Sequence, residues 1–399
     1  MTTPTSPFLW GAATAAHQVE GNNTTSDWWA SEHNGNSVIK EPSLDAADHL
    51  HRWPEDLDIL SGLGLTAYRF SIEWSRIEPE KGFKSHAYLD HYRRMIVGCL
   101  SRGLSPVITL QHVTLPQWLR EMGGWSHPDA AALFAEYTSF LAPALNEGVD
   151  WVVTINEPNL QPLMTRLHAE DPQVLNAWNG GAMPEATDAE VAELIAAHRA
   201  AVSTIRSTTS AKAGWSVAIN PVHTNEAGAE AAARYSEIHE DVYLRASRED
   251  DFVGVQTYTR SRFGEGGALK PTDDIRMTQL WEFYPEALGE AVRHAKSIVG
   301  EVPVFVTENG IPTANDEERV EYLERALPSL ADAMADGVDV RGYLHWSAID
   351  NFEWALGYAP TFGLISSDPV TFERTVKPSA HWYGDYIKAH ATPAQVAKA

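Results

Sequence analysis

Trp151-Val152-Val153-Thr154-Ile155-Asn156-Glu157-Pro158 is the stretch on which the reading turns. An apolar, β-branched run of this length reads as a buried parallel strand. It delivers a carboxylate and then a proline, which cannot continue a strand ladder. Glu157 is therefore expected where a strand gives way to a loop. Val304-Phe305-Val306-Thr307-Glu308-Asn309-Gly310 is built the same way, with a glutamate and turn residues closing a hydrophobic strand. A single strand-end glutamate is most often a solvated surface residue. Two of them in matching contexts predict two carboxylates facing one cavity.

Working outward, further strand-like runs occupy residues 8–13, 65–72, 105–110, 213–219, 252–255 and 340–346. Helical periodicity occupies about 45–63, 88–101, 129–147, 189–205 and 317–334. Residues 14–21 read as a polar loop, and 159–184, broken by prolines and glycines, as an extended loop or broken helix. Strands alternating with helices along the whole chain predict an α/β protein with a parallel sheet. Eight such strands predict one (β/α)8 TIM barrel over residues 1–399, with its active site at the C-terminal strand ends. No linker or internal repeat divides the chain.

The polar residues of note fall at those strand ends. Arg69 lies inside the second strand, where a buried charge is costly unless paired; it reads as the partner of a catalytic carboxylate. His112 follows the third strand, and Gln256-Thr257-Tyr258 follows the sixth. Asp350-Asn351-Phe352-Glu353-Trp354 lies beyond the eighth.

Composition narrows the function. The 399 residues carry a net charge of −24, which disfavours nucleic acid and anionic membranes as partners. Cys99 is the only cysteine, so no internal disulfide forms, and its apolar helical context reads as core. No apolar run is long enough to cross a membrane, and residues 1–7 have neither a basic nor an apolar leader-like segment. A cytoplasmic protein is expected. Zinc-type His/Cys spacings, phosphate loops and dinucleotide glycine patterns are missing, so neither metal nor cofactor is expected. The 14 tryptophans suit a site whose walls pack against sugar rings.

Two carboxylates at one barrel mouth suit glycoside hydrolysis, which needs one protonated and one ionised group. A separation of roughly 5–5.5 Å gives retention of configuration, and roughly 6.5–9.5 Å gives inversion. Glu157 is expected to be the acid/base, with Arg69 and Tyr258 keeping Glu308 ionised.

The chain resembles glycoside hydrolase family 1, the β-glucosidase-like retaining enzymes, from Phe8 to about Tyr386. Residues 8–21 resemble the family's N-terminal signature, Asn156-Glu157-Pro158 its acid/base motif, Thr307-Glu308-Asn309-Gly310 its nucleophile motif and residues 350–354 its sugar-reading motif. The resemblance implies that Glu308 attacks the sugar and that Glu157 gives and then takes the proton. It implies that Gln18, His112, Asn156, Glu353 and Trp354 hold sugar hydroxyls. Trp346 would lie under the ring, Phe362 near C6, and Arg69 and Tyr258 beside the nucleophile. Glu353 suits a neutral sugar and should repel a 6-phosphate. The expected partner is a small β-glycoside or oligosaccharide, cleaved from its terminal sugar.

The chain departs from the family at Val113, where an aromatic is usual, at Gln256-Thr257 in place of Asn-Tyr, at Thr361 in place of an arginine, and along residues 159–184. These bear on glycone and aglycone preference. Leu160, Pro162, Leu163, Met164 and Leu167 suggest either an apolar rim for a natural-product or transglycosylation substrate, or a packed helix face. A non-catalytic sugar-binding barrel is the remaining alternative, and the presence of both glutamates argues against it.

Overall fold

The computed structural model describes residues 7–35, 38–168 and 184–390. Eight parallel strands close a barrel: β1 (Leu9–Ala13), β2 (Ala67–Ser71), β3 (Ser105–Gln111), β4 (Trp151–Asn156), β5 (Lys212–Ala218), β6 (Val253–Thr257), β7 (Val304–Asn309) and β8 (Val340–Trp346). Each strand pairs with its neighbours in sequence, and β8 returns to β1 in register from Leu9 opposite Gly342 to Ala13 opposite Trp346. This is the (β/α)8 barrel expected from the sequence.

The outer ring is formed by α1 (His49–Gly62), α2 (His86–Ser101), α3 (Ala130–Leu145), α4 (Asp188–Thr208), α5 (Ala229–Ser236, running through the π turn Glu237–Asp241 into Val242–Ala246), α6 (Ala287–Val299), α7 (Asp316–Ala335) and α8 (Pro378–His390). Local chemistry sets the starts of several. Ser85 accepts from Tyr88 N and starts α2 two residues before the hydrophobic pattern does. Thr187 and Glu190 form a reciprocal capping box at α4. Before α1, Leu44, Ala46 and Asp48 all adopt left-handed φ (45°, 48° and 51°), so the helix begins at His49 and not at residue 45. No helix among the described residues is long and apolar enough to cross a membrane.

Two expected loops are partly helical. Residues 14–21 contain a helical turn, Ala16–Val19, and every residue of it is buried. The polar look of this stretch came from side chains committed to an interior network. Gln161–His168 forms a helix, while residues 169–183 of the stretch expected to be a loop lie outside the described residues. Leu163, Met164 and Leu167 turn inward against Trp28, Val113 and Trp354, so they form a packed helix face.

Apolar side chains fill two layers. Inside the barrel Trp151, Phe252 and Phe305 meet at ring-centroid distances of 5.2, 5.3 and 6.1 Å and plug its lower end. A larger layer, including Val152, Ile155, Val304 and Val306, packs between strands and helices. Strict alternation from Trp151 and Val153 would point Ile155 inward and Asn156 outward. The β4–β5 register instead shifts between Val153 and Asn156. Ile155 joins the outer layer, and Asn156 reaches the barrel interior. The β6–β7 register shifts likewise between Val306 and Glu308. This irregularity turns Glu308 inward, where alternation from Phe305 would have aimed Thr307 and Asn309.

Gly310 completes this strand end. A Cβ there would lie 2.1 Å from the Trp346 carbonyl oxygen, so only glycine lets the end of β7 approach the end of β8 this closely.

Phe305→Ala should empty part of the plug and lower the unfolding free energy by about 3–5 kcal/mol. Urea denaturation measures this, and a loss below about 1 kcal/mol would contradict the packing described.

Candidate active site

The C-terminal strand ends surround a cavity of about 620 Å³. His112, Glu157, Tyr258, Glu308, Trp346, Glu353, Trp354 and Phe362 line it. Gln18, Asn156 and Arg69 stand behind them, each hydrogen-bonded to a lining residue. Every residue singled out in the sequence as a site candidate is therefore in one place.

Arg69 organises the floor. It is fully buried, so its charge must be met by acceptors. Nη1 donates to Glu308 Oε1 at 2.7 Å and to the Thr307 carbonyl at 3.2 Å. Nη2 donates to Asn156 Oδ1 at 2.5 Å, and Nε to Thr109 Oγ1 at 2.8 Å. The other Glu308 oxygen accepts a short hydrogen bond from the Tyr258 hydroxyl.

The two carboxyls differ in their surroundings. Burial raises the pKa of both. At Glu308 the Arg69 charge and the bonds from Tyr258 and Arg69 pull it back down. At Glu157 the Glu308 and Glu353 charges add to burial, Arg69 opposes it, and no hydrogen bond from the described residues offsets the rise. Glu157 is thus pushed well above the usual carboxylate range, and Glu308 is the one that ionises first. Glu157 also has a left-handed backbone (φ 47°), held by its N–H donating to the Ser216 carbonyl at 2.7 Å. Such strain is tolerated where the surroundings over-determine it.

The remaining polar groups are fixed in orientation. Arginine only donates, so the Asn156 atom facing Arg69 is its oxygen, and Asn156 Nδ2 faces His112 Nε2 at 3.2 Å. Nε2 therefore accepts, and the His112 proton sits on Nδ1, which is buried without a partner among the described residues. Burial, with Arg69 adding, lowers the His112 pKa well below normal and keeps the ring neutral. Gln18 Nε2 donates to the Phe352 carbonyl at 2.8 Å and to Glu353 Oε2 at 3.2 Å, leaving buried Oε1 unpartnered. Glu353 is pushed up to about 8, chiefly by burial. Asn351 and Gln18 oppose that rise and the Glu308 charge adds to it. Around these groups Trp346 lies near-parallel to His112 (5.6 Å, 19°), and Trp354 packs on Trp28 (4.8 Å) and His17 (5.7 Å, 5°). The result is an aromatic-walled pocket with unmet donors and acceptors, which suits a polyhydroxylated ring.

The comparisons agree with this geometry. The model of "Glycosyl hydrolase family 1" matches residues 2–253 and 257–392. β-Glucosidase A of Thermotoga maritima is 31% identical, over 96% of this chain and 97% of its own. A crystal structure of the β-glycosidase BGL167 superposes with a TM-score of 0.89 at 42% identity, over 96% of this chain and 97% of that one. The β-glucosidase of Thermotoga maritima in complex with castanospermine superposes with a TM-score of 0.86 at 29% identity, over 97% and 98%. The chain belongs to glycosyl hydrolase family 1. As a member of that family of retaining β-glycosidases it is a glycoside hydrolase.

Within this family 1 enzyme some site residues were not singled out from the sequence. Thr109 holds Arg69 from β3, and its inward position on a strand was the only available signal. Trp281, from the segment before α6, lines the cavity beside Tyr258 (5.3 Å) and Phe362 (5.9 Å). Nothing periodic marks it. Gln256, a strand-end residue and a departure from the family, lines the cavity and donates to Asn156 Oδ1 at 2.6 Å. Val113, another departure, takes a left-handed φ of 66° and packs in the apolar cluster with Trp28 and Trp354. Leu160, Met164, Tyr235, Phe263 and Leu280 also line the cavity, so the inward face of the Gln161–His168 helix reaches it through Met164. Among the described residues no group of three or more His, Cys, Asp or Glu side chains is placed to hold a metal ion.

Tyr258→Phe should lower kcat/KM about tenfold or more, the scale of a hydrogen bond to a charged group. Loss of that bond raises the Glu308 pKa. The acidic limb of the kcat/KM–pH profile, expected to report ionisation of Glu308, should therefore move to higher pH. A limb that stays in place or moves lower would contradict the geometry.

Proposed function

We propose that this chain is an exo-acting β-glucosidase that removes a terminal, non-phosphorylated β-linked glucose through a glycosyl-enzyme intermediate. The observation that carries the assignment of roles is the asymmetry of the two carboxyls: Glu308 is bonded by Arg69 and Tyr258, and Glu157 by neither. Glu308 attacks the anomeric carbon while Glu157 donates its proton to the departing oxygen. A new C–O bond forms to Glu308 as the glycosidic bond breaks. Glu157, now ionised, takes a proton from water, whose oxygen attacks the same carbon and releases Glu308. The second inversion restores the configuration.

Gln18, His112, Asn156, Glu353 and Trp354 are the sugar-holding residues in this reading, with Trp346 as the platform and Phe362 near C6. Their buried, unpartnered atoms (Gln18 Oε1, His112 Nδ1) support it. Arg69 is already committed to four acceptors, so it offers no free charge to a phosphate, which supports a neutral sugar. Glucose is supported by the relatives, several of which are named β-glucosidases, one a bifunctional β-D-glucosidase/β-D-fucosidase from Bifidobacterium breve. A cytoplasmic location suits a chain whose one cysteine, Cys99, is buried and reduced.

Steady-state hydrolysis of 4-nitrophenyl β-gluco-, galacto-, fuco-, xylo- and mannosides tests the reading. Wild type should cleave the glucoside and Glu308→Gln should lose at least about 10⁴-fold in kcat, the scale expected for a lost nucleophile. Inactivity of the wild type on all five would sink it.

Glu157→Gln probes the proton. It should cost far less on a 2,4-dinitrophenyl glucoside, whose leaving group needs no protonation for departure, than on an alkyl glucoside. Because the raised pKa of Glu157 sets the basic limb of kcat/KM, that limb should vanish in the variant. Equal losses on both leaving groups, or a surviving basic limb, would assign the proton elsewhere.

A further inference from the structure

Gln256 is the next-to-last residue of β6, in register with Ala218 of β5 on one side and Glu308 of β7 on the other. Its side chain is fully buried and lines the cavity. The backbone is spoken for, since its carbonyl accepts from Ile219 N at 2.8 Å. The side-chain amide has one fixed end. Asn156 Oδ1 accepts both Arg69 Nη2 at 2.5 Å and Gln256 Nε2 at 2.6 Å. Arginine has no acceptor, so the Asn156 atom must be oxygen and the Gln256 atom facing it must be nitrogen. Gln256 Oε1 is thereby left as the free end. It can only accept, and it is buried with no partner among the described residues.

A buried carbonyl oxygen held in place without a donor is rare in a folded chain and calls for an account. Gln256 sits between Glu308, which attacks C1 of the sugar, and Asn156. The hydroxyl adjacent to C1 is the one at C2. Hydrogen bonds to that hydroxyl strengthen in the transition state of glycoside cleavage. We propose that Gln256 Oε1 accepts a hydrogen bond from the sugar's 2-hydroxyl, making Gln256 a binding residue that reads C2. The asparagine usual in the family at this position is one methylene shorter, so the glutamine carries its amide further into the cavity. The proposal rests on Glu308 being the nucleophile. It goes beyond that reading because a side chain that merely oriented Asn156 would leave the 2-hydroxyl's contribution unchanged once Asn156 is gone.

The test compares kcat/KM for 4-nitrophenyl β-D-glucoside and its 2-deoxy counterpart, corrected for spontaneous hydrolysis, in four proteins: wild type, Gln256→Met, Asn156→Ala and the double variant. The factor lost on removing the 2-hydroxyl should shrink roughly tenfold on going from wild type to Gln256→Met, the scale of one hydrogen bond. It should shrink again on going from Asn156→Ala to the double variant. Gln256→Asn, which keeps the amide but shortens its reach, should fall between wild type and Gln256→Met, and it carries the test if Gln256→Met loses its thermal unfolding transition. An unchanged factor in the single variant overturns the proposal. So does a change that disappears in the Asn156→Ala background, because Gln256 would then act only through Asn156. A wild type inactive on the parent glucoside would overturn the glycosidase reading and this proposal with it. An active wild type whose 2-hydroxyl factor ignores Gln256 would overturn this proposal alone.

Discussion

A guanidinium with no exposed surface cannot rest inside a barrel unless its surroundings are built for it. Arg69 is that group, and the site is arranged to satisfy it. Its acceptors come from three other strands: Thr109 on β3, Asn156 on β4, and Thr307 and Glu308 on β7. Removing any one would leave a buried charge or a buried donor short of a partner, which is costly at low dielectric. The cation therefore fixes the relative positions of strands far apart in sequence. It also fixes which end of the Asn156 amide faces it, and through Asn156 the tautomer of His112. One charge thus sets the donor and acceptor pattern of the whole floor.

That arrangement needs side chains that ordinary strand geometry would aim the other way. The register irregularities in β4 and β7 supply the correction. Each lies at the C-terminal end of its strand, where β-bulges re-aim side chains at little cost to the packing below. At the lower end Trp151, Phe252 and Phe305 pack as a plug even though the β7–β8 register also shifts there, between Val304 and Val306. The barrel is hydrophobic at its base and polar at its mouth. Stability and chemistry are separated along the barrel axis, as expected of this architecture.

The sequence was most informative where local pattern and tertiary role coincide. β8 was legible to the residue, and the other strands to within one or two, because β-branched runs with a polar residue at the end have one physical reading. The polar residues were legible as a group because they all fall at the same end of those strands. Other features were hidden for physical reasons. The inward aim of Glu308 depends on a shift of register, which leaves no trace in composition. Residues 14–21 look like a polar loop because Gln18 and His17 are polar, yet both are buried, paired with Glu353 and Glu32. Trp281 enters the site from a segment with neither strand nor helix periodicity, so nothing in the chain marks its destination.

Charge balance joins these observations. Three carboxyls, Glu157, Glu308 and Glu353, face one cavity, and each raises the pKa of another or has its own raised by one. A single guanidinium is bonded among them. A buried site of this kind favours one full negative charge beside that cation and disfavours charge on the other two acids. Glu308 takes the charge because it has the bonds. Burial disfavours charge on Glu157, Glu353 and His112 alike. In the proposed reaction Glu157 becomes an anion when it gives up its proton. By then Glu308 has lost its own charge to the bond with the sugar. Glu157 and Glu308 would therefore not be charged together beside Arg69. The coupling of the two glutamates, which makes Glu157 a poor anion at rest, is what lets it become one during the reaction.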